Sequence, residues 1–125
     1  MRFKPLVVFC LSLLASGTAV AQSASPEGTW RDEYGTIFEI SVCGKGTDLC
    51  AILKDVQGDS RTDKNLAYLG KQVLHASQTA QNQWQGTVIY NGSEAQATVT
   101  EDGADMLSIK GCRGIFCDTL VFSRV

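Results

Sequence analysis

Apolar and polar residues alternate with a period of two through most of this chain, in short runs separated by Gly, Asn and Asp. That period places successive side chains on opposite faces of an extended strand, and no stretch shows the 3.6-residue period of an amphipathic helix. Phe38, Ile40 and Val42 alternate with Ile37, Glu39 and Ser41. Trp84, Gly86, Val88 and Tyr90 alternate with Gln83, Gln85, Thr87 and Ile89, and Ala95, Ala97 and Val99 with Glu94, Gln96, Thr98 and Thr100. Leu107 and Ile109 repeat the pattern. Each run presents one apolar face to a core, and the turn pairs Asn91-Gly92 and Asp102-Gly103 favour tight hairpins because both residue types tolerate positive φ.

Further strands are predicted over Thr29–Arg31, Leu49–Lys54, Gln72–His75 and Leu120–Val125. The expected fold is therefore all-β, with roughly eight antiparallel strands. A two-sheet sandwich would satisfy the same alternation, but eight antiparallel strands that must hide their edges favour closure into a barrel. One connection departs from the short-loop pattern. Residues 55–71 exceed the roughly 4 to 6 residues usual between elements, which marks the segment as functional or loose.

The N-terminus follows different rules. Arg2 and Lys4 precede an apolar stretch from Leu6 to Ala15, and Ala19-Val20-Ala21 supplies small residues for cleavage, so residues 1–21 read as a secretory signal removed before Gln22. The apolar stretch is too short for the roughly twenty residues of a spanning helix, and no later stretch is longer, so no membrane span is expected. Removing 21 of 125 residues leaves 104, enough for a single domain over 22–125 and no second one. Arg2 and Lys4 leave with the signal, taking the formal net charge from −2 to −4. An acidic domain lacks the cationic surface that nucleic acid or anionic lipid demands, so neither is expected as a partner.

Export changes the reading of the cysteines. Cys10 lies in the signal, and Cys43, Cys50, Cys112 and Cys117 remain, an even count that in an oxidising compartment indicates two disulfides. Zinc is the rival, but the six residues between Cys43 and Cys50 exceed the usual spacing of structural zinc pairs. Of three pairings, Cys43–Cys50 with Cys112–Cys117 closes two short loops between neighbouring strands.

Catalytic chemistry is sparse. His75 is the only histidine and has no nucleophile elbow, zinc-protease helix or phosphate loop beside it. Glu101, Asp102 and Asp105 flank Gly103, where solvated acids are expected, and the acids of 55–71 lack the oxygen-ligand alternation of a calcium loop. Asn91-Gly92-Ser93 fits a glycosylation acceptor only as an idle match in a turn. No enzyme activity, cofactor or metal is expected.

Gly28-Thr29-Trp30, Cys43-Gly44 to Leu49-Cys50, Asp63 with Asn65 and Gly70, Trp84 through Asn91, Gly111-Cys112, Cys117 and the terminal Ser123-Arg124-Val125 together resemble the DUF2147 family of exported bacterial proteins. The resemblance covers nearly the whole mature chain. It departs from the family pattern at Ala51, Leu66, Gly92 and Phe122, which stand where the family has Gly, Pro, Pro and Trp. It implies a lipocalin-like barrel in the periplasm or secreted, in which Gly28, Trp30 and Arg124 close one end. The family has no established general activity. Two functions then compete: a monomeric barrel binding a small, partly apolar ligand in its mouth, with Trp30, Tyr68, Trp84 and Tyr90 as lining candidates, or a module that binds or inhibits an envelope protein through 55–71.

Overall fold

The computed structural model describes residues 25–125; the predicted signal and its cleavage point lie outside the described residues. The eight strands are β1 (Gly28–Asp32), β2 (Ile37–Cys43), β3 (Asp48–Asp55), β4 (Gln72–Ala80), β5 (Gln83–Tyr90), β6 (Ser93–Glu101), β7 (Met106–Arg113) and β8 (Phe116–Arg124). Each pairs antiparallel with the next, and β8 returns to β1 through Trp30↔Arg124, Arg31↔Ser123 and Asp32↔Phe122, so the sheet is a closed barrel and not a sandwich. Among the described residues, closure leaves no strand edge open to pair with another chain.

The inward faces are those the alternation predicts. Ile40, Leu49, Ala51, Leu74, Ala76, Ala97, Val99, Leu107, Ile109 and Phe122 are all buried. Gly86 serves a tighter approach: a Cβ there would lie 1.9 Å from the His75 carbonyl oxygen, so β4 and β5 can pair at this point only through a residue with no side chain.

Two strands run further than their sequences suggest. β4 continues to Ala80 and β8 begins at Phe116, because both segments hydrogen-bond to neighbours without burying a face. Apolar alternation reports burial rather than pairing, so it is silent there. The turns also differ. Asn91-Gly92 is the expected two-residue hairpin with positive φ at both positions, whereas Asp102–Asp105 is a four-residue loop. A tight turn at Gln81-Asn82, with Asn82 at φ 62°, joins β4 to β5.

The segment 55–71 is built rather than loose. It holds a 3₁₀ turn (Gly58–Ser60) and one helical turn, α1 (Asp63–Leu66). Thr62 caps α1 by accepting from the Asn65 N–H, and the Asn65 side chain donates to the Ser60 carbonyl at 2.8 Å. The Gly70 N–H donates to the Leu53 carbonyl and the Leu53 N–H to the Lys71 carbonyl, fastening the segment to β3, while Leu66, Tyr68 and Leu69 pack on the core. Among the described residues, no helix is long and apolar enough to cross a membrane.

Candidate functional site

The two ends of the barrel are built differently. At the end where β1 begins and β8 finishes, Trp30 is fully buried and its indole N–H donates to the Pro26 carbonyl at 2.9 Å. The Arg124 guanidinium carbon lies 4.3 Å from the Trp30 ring centroid, within cation–π range. Its nitrogens donate to the carbonyls of Ala104 at 2.8 Å, Glu27 at 2.6 Å and Ser25 at 2.9 Å. Gly28 makes room for this arrangement. It sits at φ +138°, and a Cβ there would lie 2.6 Å from an Arg124 guanidinium nitrogen. Gly28, Trp30 and Arg124 thus close this end together.

Two expectations are corrected here. Trp84 is buried at the closed end, its indole donating to the Thr47 carbonyl at 2.9 Å, and so lies away from the mouth that it was expected to line. Glu101, expected as a solvated turn acid, is 4% exposed, because it continues the inward row of Ala95, Ala97 and Val99. Among the described residues, neither carboxyl oxygen of Glu101 has a hydrogen-bond partner. Burial raises its pKa above the ordinary carboxylate range, against a smaller opposing pull from Arg124.

At the other end the barrel opens. A cleft of about 430 Å³ is bounded by Asp32, Tyr34 and Thr36 from β1 and its turn, Asp59, Ser60 and Asn65 from the 55–71 segment, and Tyr90, Asn91, Asp118 and Thr119 from the far wall. Phe38, Leu53, Val56 and Leu120 form its apolar part. Below it, a narrow apolar pocket of about 40 Å³ reaches down to Val88, Ile109 and Phe122, where stacked Phe38 and Phe122 rings, centroids 5.0 Å apart, stop it. A depression of about 240 Å³ continues sideways under Arg113 and Phe116, sharing Tyr90 and Asp118 with the cleft. The barrel is open above the Phe38–Phe122 pair, while at the closed end a shallower depression of about 190 Å³ is bounded by Pro26, Val42, Leu49, Gln78, Trp84 and Glu101.

Of the predicted lining residues, Tyr90 stands in the mouth. Tyr68 packs on the core from the 55–71 segment without bordering the cleft, and Trp30 and Trp84 fill the closed end. Asp32 is the mouth residue that sequence reasoning missed. It shares the inward parity of Trp30, is 6% exposed, and accepts from the backbone N–H groups of Tyr34 at 2.9 Å and Thr36 at 2.8 Å through one oxygen. Its other oxygen is buried without a partner among the described residues.

Both predicted disulfides are present, Cys43–Cys50 between β2 and β3 and Cys112–Cys117 between β7 and β8. His75 projects outward opposite Cys50 and lies 3.0 Å from the Asp48 carboxylate. Its ring and the sulfurs of Cys43 and Cys50 lie within 4.8 Å of one another, a spacing a metal could use, but the two sulfurs are bonded to each other and offer no thiolate. Arg113 braces the rim by donating to the carbonyls of Tyr90, Ser93 and Glu94. Ile115 and Phe116 stand exposed at the tip of the β7–β8 hairpin.

No family model, curated protein or solved structure matches the chain.

Proposed function

We propose that this chain is an exported, monomeric binding protein, its resemblance to DUF2147 proteins implying the barrel and the compartment, which holds a small, partly apolar ligand in the open end of its barrel. The observation that carries this reading is the inequality of the two ends. One is plugged by Trp30 and Arg124, and the other presents a cleft of about 430 Å³ with an apolar floor and a polar rim. That volume falls within the roughly 300–1,000 Å³ of small-molecule sites, and an apolar wall with a few convergent polar groups is their usual make-up. Two intact disulfides support an oxidising compartment.

The 55–71 segment favours this reading over that of an envelope-protein interaction module. Asp59, Ser60 and Asn65 turn toward the cleft as part of its wall, and the segment's apolar residues Leu66 and Leu69 are spent on the core. Binding rather than catalysis is favoured because the one histidine sits on the outer face beside a disulfide, away from the cleft.

Titration of the oxidised protein with an environment-sensitive apolar dye tests the proposal. Dye emission should rise to saturation at one site per chain, and Leu120→Gln, which removes an apolar contact from the cleft floor, should weaken binding. Unchanged emission overturns the reading. So does equal binding by Leu120→Gln, which would place the dye on the exposed Ile115–Phe116 tip instead.

A further inference from the structure

We propose that the mouth selects an organic cation, an amine with a short apolar tail, over neutral or anionic ligands of the same size. This rests on the reading of the mouth as a ligand site and specifies its ligand. Three aspartates line the cleft, Asp32, Asp59 and Asp118, with no lysine or arginine among the lining residues. They come from β1, the 3₁₀ turn and β8, so closure of the barrel, rather than a local acidic run, brings them to one opening.

Asp32 adds an independent observation. It is 6% exposed, and the oxygen not used by the Tyr34 and Thr36 N–H groups has no donor among the described residues. A buried carboxylate oxygen without a hydrogen bond is unfavourable, and a ligand with positive charge and several N–H groups offsets that penalty more fully than an alcohol, which brings one uncharged O–H donor, whereas a carboxylate brings no donor and the same sign of charge. Tyr34 borders the same space and can present an aromatic face to a cation.

Two arginines near the mouth are engaged elsewhere, and Lys64, whose stem lies against Gly92 at the rim, is not among the lining residues. Arg61 donates to the Val56 carbonyl and pairs with Asp55, and Arg113 is held by rim carbonyls and by the Tyr90 ring. The apolar floor below the aspartates then accommodates a tail, so charge and hydrophobicity are separated along the depth of the mouth. A neutral apolar molecule would leave the acidic rim uncompensated, and a fatty acid would be repelled by it.

Isothermal titration of the oxidised protein with octylammonium, octanol and octanoate is the test. Octylammonium should bind roughly tenfold more tightly than octanol, with octanoate weakest, as one charge-assisted contact and one cation–π contact imply. Asp118→Asn, a change at an exposed position, should remove most of that preference, and Asp59→Asn should reduce it in the same direction. Equal binding of octylammonium and octanol, a preference for octanoate, or a preference unmoved in both variants would overturn the cation selectivity while leaving the mouth as a ligand site. Absence of binding by all three would overturn both.

Discussion

Arg124 lies over the ring of Trp30, guanidinium carbon 4.3 Å from the ring centroid, and the two are direct partners across the β1–β8 seam. The stack is one of three residue pairs in the seam that turns the meander into a barrel, and it seals one end. The three carbonyls that Arg124 also binds, of Ser25, Glu27 and Ala104, tie the entering chain and the β6–β7 loop to the same plug.

Arg124→Lys should therefore destabilise the domain by about 2 kcal/mol, because a point-charge ammonium reproduces neither the planar stack nor the fork of donors. Thermal melts of the two oxidised proteins measure it. A variant melting at the wild-type temperature would show that the seam closes without the stack.

Gly86→Ala should cost about 3 kcal/mol or more, since the added methyl would collide with the His75 carbonyl and the Ala76 backbone, neither of which can yield without breaking the β4–β5 ladder. Gly103→Ala tests backbone conformation alone, because no atom lies within 4 Å of its would-be Cβ although its φ is +96°. Urea denaturation of both variants should show a change at position 103 that is the smaller of the two.

Glu101 links stability to pH. Its pKa is raised in the folded state, so between its unfolded and folded values the native protein holds more protons than the unfolded chain, and stability falls as pH rises through that window. Glu101→Gln should raise the melting temperature at neutral pH. The gain should shrink at pH values where the native carboxyl is protonated. Melts of both proteins across pH check the convergence, and a difference that widens on acidification would contradict the burial account.

Removal of the Cys112–Cys117 bridge by paired Cys→Ser changes should lower stability by about 2 kcal/mol, the chain-entropy value for so short a loop. The loss should exceed the effect on global stability at the rim, where Phe116 and Asp118 border the mouth. Hydrogen exchange of the β7–β8 hairpin should accelerate in the variant, and unchanged exchange would show that the bridge is not what holds this wall of the mouth.

The strand order, the inward rows of β2, β5, β6 and β7, and the disulfide pairing were legible in the sequence because each depends on neighbours a few residues apart. The period of two reports which face meets the core, and short cysteine intervals restrict which partners can meet. Closure by Trp30 and Arg124 was readable only through the family resemblance of the two termini, since nothing local relates residue 30 to residue 124.

What tertiary structure alone decided is which end of the barrel each residue reaches. Trp84 and Tyr90 share one strand and one face, yet six residues of rise carry the first to the plug and the second to the mouth. Asp32 and Glu101 terminate strands and look in sequence like acids of solvated turns, but their parity with Trp30 and Val99 turns both inward. The mouth itself is assembled from residues 32, 59, 90 and 118, and their convergence exists only once β8 has paired with β1 and the 55–71 segment has been fastened across the opening.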